Sequence, residues 1–189
     1  MNNKESKMIV LYGPSGAGKT TLGGILKKIG ITKLVSDTSR AIRDYDGEID
    51  GISYNFKSKE EFIKNIESNK MIEYTDYCGN LYGLSKEEVY TKLQNNKIVF
   101  AVTETNGVIN LKKAFGSQIV SIFIYTNEEI LVKRLVQRGD TQELIDERLE
   151  QLKSSNELVH IGLADFCIIN KDLETSILQL KNIINIISE

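Results

Sequence analysis

The chain has 189 residues, with 24 Lys and Arg against 26 Asp and Glu and a formal net charge of −2. Hydrophobic residues make up 41% and charged residues 26%, the balance of a soluble globular domain rather than a disordered or membrane-embedded chain. So even a charge offers no basic field for nucleic acid. The polar segment 1–7 and strand-length apolar runs argue against a secretory signal and a membrane span, which makes the cytoplasm the expected location.

In chain order, Met8–Tyr12 is a short apolar run that reads as a strand, and 20–29 reads as a helix with Leu22, Ile25, Leu26 and Ile29 on one face. Between them stands Gly13-Pro14-Ser15-Gly16-Ala17-Gly18-Lys19-Thr20, the spacing G-x-x-x-x-G-K-[ST]. Glycines let successive backbone N–H groups turn inward around phosphate oxygens with no Cβ in the way. A lysine at this position reaches the β- and γ-phosphates, and the following hydroxyl holds Mg²⁺. Those roles fall to Lys19 and Thr20, with Thr21 beside them. The helix N-terminus adds its partial positive charge at the phosphates. With a strand before it and a helix after it, the segment from Gly13 to Thr21 is read as a site for a nucleoside triphosphate.

Four more apolar runs, Lys33–Ser36, Ile98–Thr103, Ile119–Tyr125 and Phe166–Ile169, alternate with helical patterns. Near-continuous apolar strands of this kind belong in a parallel sheet covered on both faces, so the expected class is α/β with three layers, αβα. A last helix, Asp172–Ile187, carries Leu173, Ile177, Leu180, Ile183, Ile184 and Ile187 at helical spacing, with Asp172 placed to cap it. The segment 37–95 breaks the alternation. Its turn signals, Asp50-Gly51 and Gly79-Asn80, have what look like short antiparallel strands beside them. Ser58-Lys59-Glu60-Glu61 opens a helix reaching Asn69 with a capping-box spacing. This is expected to be a small mixed α/β insertion on the substrate side of a single domain. Gln137-Arg138-Gly139-Asp140-Thr141 separates two charged helices and is read as a mobile flap within a lid spanning 137–155. Cys78 and Cys167 form no CxxC pair and are expected to be reduced, structural thiols. His160, the one histidine, is read as a polar position late on a helix.

Taken together, these segments resemble the guanylate kinase family of P-loop nucleoside monophosphate kinases. After the phosphate loop, Val35-Ser36-Asp37-Thr38-Ser39-Arg40 is similar to the family's S-x-T-T-R. The run from Gly47-Glu48 through Gly51 to Tyr54 and Phe56 is similar to G-E-x-x-G-x-x-Y-x-F. Glu73 followed by Gly79-Asn80-Leu81-Tyr82-Gly83 is similar to E-x-x-x-x-x-G-N-x-Y-G. Arg134-Leu135 through Arg138-Gly139 resembles the lid R-L-x-x-R-G, and Asn170 to Leu173 resembles N-x-D-L. Six motifs in register cover nearly the whole chain.

The resemblance implies ATP and GMP (with dGMP, since no residue obviously reads the 2′-OH) as substrates, Mg²⁺ as cofactor, and no nucleic acid or membrane partner. It places Ser36, Arg40, Arg43, Tyr54, Glu73, Tyr82 and Glu104 at GMP. Lys19 with Arg40, Arg134, Arg138 and Arg148 is placed at the transferring phosphoryl group, and Asn170 beside adenine. The chemistry agrees: guanidinium forks and phenol hydroxyls suit a phosphate dianion, and a carboxylate accepts guanine N1–H and N2–H₂ side by side. Glu104 stands where the family usually has Asp, either at the guanine amino group or behind a Mg²⁺-bound water. Leu84 replaces a small hydroxyl residue expected to read the guanine edge, and Ile42 replaces a proline. Two extra residues lengthen the link from Arg43 to Gly47. These departures leave open another monophosphate or a sugar phosphate as acceptor on the same fold. A non-catalytic interaction domain is the remaining reading, and the intact Lys19 and Thr20 argue against it.

Overall fold

The computed structural model describes residues 6–43, 47–77, 79–154 and 159–188. From the N-terminus the chain forms β1 (Lys7–Tyr12), α1 (Lys19–Lys28), β2 (Thr32–Lys33), β3 (Asp37–Thr38), β4 (Asn55–Phe56) and α2 (Lys59–Glu67). It continues as β5 (Met71–Tyr77), β6 (Asn80–Ser85), α3 (Lys86–Asn95), β7 (Ile98–Val102) and α4 (Thr105–Phe115). The last elements are β8 (Ile119–Tyr125), α5 (Glu128–Gln137), α6 (Gln142–Ser154), β9 (Phe166–Ile169) and α7 (Leu173–Ser188).

The central sheet has the order β2-β7-β1-β8-β9, and every pairing in it is parallel. Alternation along β1 explains why its run is apolar throughout. Met8, Val10 and Tyr12 join a core with Leu84, Val89, Leu93, Val108 and Leu111, while Ile9 and Leu11 join one with Leu22, Leu26, Leu180 and Ile183. Helices α3 and α4 therefore cover one face, α1 and α7 the other. This is the three-layer αβα arrangement expected from the strand pattern, and it is the P-loop NTPase architecture that the resemblance implies.

Local chemistry sets the element ends. The Ser58 side chain accepts from Glu61 N–H at 3.1 Å, and Asp172 Oδ1 accepts from Glu174 N–H at 2.9 Å, so both helices start at the expected caps. Helix α1 stops earlier than its periodicity suggests. Ile29 donates to the Ile25 carbonyl as C-cap, Gly30 turns the chain at φ +88°, and Ile29 is left 46% exposed. Strand β2 is likewise shorter than the run Lys33–Ser36, because the chain leaves the core sheet after Leu34 donates to Phe100.

It then enters a second sheet, ordered β4-β3-β6-β5. Around Gly79 the expected antiparallel hairpin forms, with Tyr77 opposite Asn80. Around Asp50-Gly51 it does not: Asp50 bridges Tyr54 in the parallel sense and β4 runs parallel to β3. The Asp50 carboxylate accepts from Phe56 N–H at 2.9 Å, which closes a compact turn with no room for a second arm. Helix α2 covers this sheet through Phe62 against Met71 and Leu81. Helices α5 and α6 share a separate apolar patch of Leu131, Leu135 and Ile145. His160 falls in a 3₁₀ segment, Val159–Leu163, rather than late on an α-helix. Cys167 is an exposed free thiol on β9, so it is not a buried structural one; Cys78 lies outside the described residues. No helix among the described residues is long and apolar enough to cross a membrane.

Candidate active site

The phosphate loop leaves the C-terminal end of β1 and runs straight into α1. Gly13 adopts φ +133°, and a Cβ there would run into the Ile124 carbonyl oxygen of the neighbouring strand β8. Gly13→Ala is therefore expected to destabilise the fold by more than about 1 kcal/mol; urea denaturation against the parent chain checks it. Gly18, at φ +103°, is the N-cap of α1, and no acidic residue occupies that helix's first turn. The free N–H groups of this turn are thus left for an anion. The Lys19 ammonium folds back over the loop, donating to the Gly13 carbonyl and to the Pro14 carbonyl at 3.2 Å. It lies 3.7 Å from Glu104 Oε1. Thr20 and Thr21 are exposed at the start of the helix.

Behind the loop, Asn170 Nδ2 donates to the Ala17 carbonyl at 2.7 Å and its Oδ1 accepts from Ser176 at 2.9 Å. Arg134 donates to the carbonyls of Ala17 and Asn170 at 3.3 and 3.0 Å. Asn170, expected beside adenine, is 2% exposed with its amide turned inward, so here it braces the loop. Arg134, on α5, holds the same strut.

A second cluster gathers residues that the resemblance assigns to the acceptor. The Arg40 guanidinium lies over the Tyr54 and Phe56 rings, at 5.6 and 5.7 Å from their centroids. Tyr54 meets Tyr82 edge-on at 5.9 Å, and burial pushes its phenol up. Glu48 grips Arg40 with both oxygens, at 2.6 and 3.0 Å, and accepts from Arg43 N–H at 2.9 Å. Although burial alone would raise it, these guanidinium and N–H donors hold the Glu48 carboxyl below its ordinary value. Lys33 donates to the Ser53 carbonyl at 2.8 Å beside the Tyr54 ring, and burial lowers its ammonium pKa. Ser36 is half-buried at the root of the cluster, its carbonyl accepting from Asn55 N–H at 2.9 Å. Ile42 is exposed, and the link 44–46 after Arg43 lies outside the described residues.

Glu73 lies beside Glu104, the acid that faces Lys19. Far from being an exposed strand charge, it is 3% exposed on β5, close against the first turn of α4. A Cβ on Gly107 would come within 2.8 Å of its Oε2, so the missing side chain makes the room it occupies. That oxygen is buried with no protein partner. Burial pushes the Glu73 carboxyl up to about 7 and the neighbouring Glu104 charge adds to it, against a hydrogen bond from Thr103. Glu104 thus faces Lys19 on one side and Glu73 on the other, between the two roles left open by the sequence. Leu84 is fully buried among Leu34, Val89 and Val108, so it belongs to the core.

The lid arginines form a third group. Arg148 Nη1 donates to Ser15 Oγ in the phosphate loop at 2.9 Å and pairs with Asp140 at 2.9 Å. Arg138 grips the same Asp140 carboxylate. Sequence reasoning assigned no role to Glu48 or Asp140. Glu48 stood inside a matched motif and Asp140 beside Arg138-Gly139, so both were in view without a partner to give them meaning.

Comparisons with known proteins bear on the family and the fold. The family model for guanylate kinase matches residues 5–186. The chain is 39% identical to a guanylate kinase of Wolinella succinogenes, over 93% of this chain and 82% of that one. It is also 39% identical to a guanylate kinase of Mycoplasmoides gallisepticum, over 97% and 94%. The crystal structure of guanylate kinase from Anaplasma phagocytophilum superposes with a TM-score of 0.72 at 26% identity, covering 97% of this chain and 86% of that one.

Proposed function

This chain belongs to the guanylate kinase family and transfers a phosphoryl group from ATP to GMP, and from that premise we propose how its residues divide the work. The observation that carries the proposal is the convergence of Arg40, Tyr54 and Tyr82 in one cluster, with the buried Glu73 carboxylate beside Glu104, which in turn faces Lys19. The β- and γ-phosphates of ATP lie on the N–H groups of the loop from Gly13 to Thr21. The GMP phosphate takes the guanidinium of Arg40, backed by Arg43, and the hydroxyls of Tyr54 and Tyr82. Glu73 accepts guanine N1–H and N2–H₂, with Ser36 at the base edge. dGMP is accepted as well, since the assigned residues address phosphate and base.

Thr20 and Glu104 are hard oxygen donors at the mouth of the loop, and they suit a Mg²⁺ that keeps most of its waters and arrives on the nucleotide. When bound, that ion neutralises charge on the β- and γ-phosphates. A GMP phosphate oxygen attacks the γ-phosphorus in line as the bond to the ADP oxygen breaks. Lys19, Arg138 and Arg148 balance the charge spread over the equatorial oxygens, with Arg134 holding the loop in place. Segments 37–95 and 137–155 act as acceptor arm and lid, closing to keep water from competing as acceptor. ADP release measured with GMP, dGMP, AMP, CMP and UMP tests the reading: guanine nucleotides should lead, and a leading pyrimidine would overturn the roles given to Glu73 and Ser36.

Arg40→Met separates the two substrate sites. Removing two charge-assisted hydrogen bonds should lower kcat/KM for GMP about 100-fold. KM for ATP should stay within about threefold, because the Arg40 cluster addresses only the monophosphate. Steady-state kinetics with each substrate varied in turn checks this, and equal losses for ATP and GMP would count against separate sites.

A further inference from the structure

Two guanidinium groups held close together repel each other unless an anion lies between them. In the lid that anion is Asp140. Gly139, at φ +86°, reverses the chain just past α5 and returns Asp140 over the helix end, where its N–H donates to the Leu135 carbonyl at 3.2 Å. The carboxylate takes the Nε and Nη2 edge of Arg138 and, on the same Oδ2, Nη1 of Arg148 at 2.9 Å. Its side chain is only 12% exposed. Arg148 Nη1 simultaneously reaches Ser15 of the phosphate loop. One acid therefore ties both lid arginines to each other and to the loop. Using one edge of Arg138 leaves the Nη1 edge for a phosphoryl oxygen.

We propose that Asp140 is the positioning residue of the lid arginines, holding Arg138 and Arg148 in the orientation from which they meet the transferring phosphoryl group. The proposal rests on the reading that those arginines act on that group. The surrounding charges support it. Hydrogen bonds from Arg138, with the Arg148 and Arg43 charges, keep the Asp140 carboxyl below its ordinary range, so it is ionised whenever the enzyme works. An unrestrained arginine has several side-chain torsions to order in the transition state, and Asp140 orders them beforehand. Since that effect is felt as charge develops, it belongs in kcat and not in substrate KM.

The test is a mutant cycle on the full chain with kcat, both KM values and the melting temperature measured for each variant. Asp140→Asn is expected to lower kcat at least about tenfold with both KM values within about threefold. Asp140→Glu, which keeps the charge, should retain more kcat than Asp140→Asn and is the informative variant if the amide lowers the melting temperature. In an Arg138→Ala background the loss caused by Asp140→Asn should shrink at least about threefold, because the residue acts through its partner. The inference is overturned if Asp140→Asn keeps kcat within about twofold of wild type, or if its loss is the same with and without Arg138. Arg138→Ala with wild-type kcat would instead remove the underlying reading of the lid, a different and separable result.

Discussion

Lys19→Ala is expected to lower kcat by about three orders of magnitude while the chain unfolds at nearly the same temperature. The size follows from position. The ammonium sits at the mouth of the loop, 12% exposed, within reach of the Gly13 and Pro14 carbonyls and of Glu104. Those contacts occupy it in the absence of nucleotide, and none is part of the core. Water can fill the space the side chain leaves and donate to those carbonyls, so stability changes little. Its effect is electrostatic and is strongest when charge spreads over the transferring phosphoryl oxygens in a closed, water-poor site. KM for ATP should rise far less than kcat falls. Single-turnover rates alongside a thermal melt check the prediction, and a variant retaining a tenth of the parent rate would mean that this lysine is not part of the transfer machinery.

The core sheet was legible because its strands carry apolar residues on both faces, a pattern that only a doubly covered parallel sheet can bury. Met8–Tyr12, Ile98–Thr103, Ile119–Tyr125 and Phe166–Ile169 appear almost to the residue. The run Lys33–Ser36 misleads because the chain passes there from one sheet to the other, and pattern alone does not reveal where hydrogen-bonding partners change. The parallel pairing of β4 with β3 was hidden for the same reason: partners distant in sequence decide it. At the site, residue types were readable and directions were not. Asn170 has the chemistry to meet a base, yet its amide faces Ala17 and Ser176. Leu84 stands at a motif position beside a base reader, yet its side chain turns into the core. Glu48 and Asp140 acquire meaning only through the arginines they grip, and those pairings exist only once the loops are folded.

Glu73→Gln is expected to lower kcat/KM for GMP by about 2–4 kcal/mol of transition-state binding, roughly 30- to 1000-fold, and to raise AMP use relative to GMP. The amide keeps the size of the carboxylate but turns one acceptor into a donor, which then faces a guanine donor with no water to relieve it. The wild-type residue is already under strain. Its Oε2 is buried without a protein partner, and burial with the Glu104 charge pushes its pKa up to about 7. Guanine brings two donors to the carboxylate, one of them for the unpartnered Oε2, so the ionised form binds and the protonated form does not. As pH rises from about 6 to about 8, kcat/KM for GMP should therefore climb in wild type. The GMP phosphate also ionises near pH ~6, but it does so equally for both enzymes, and the wild-type to variant ratio isolates Glu73. Stability should move in the opposite sense. An acid whose pKa is higher in the folded state binds protons more tightly when folded, so wild-type stability declines as pH climbs from the ordinary 4.5 through about 7. Glu73→Gln removes that decline. The variant should melt at or above wild type at pH 8 while discriminating guanine far less well. Kinetics for GMP and AMP with melts at both ends of the range decide the matter: unchanged GMP selectivity, or a variant that melts well below wild type at pH 8, would take the base-reading role away from Glu73.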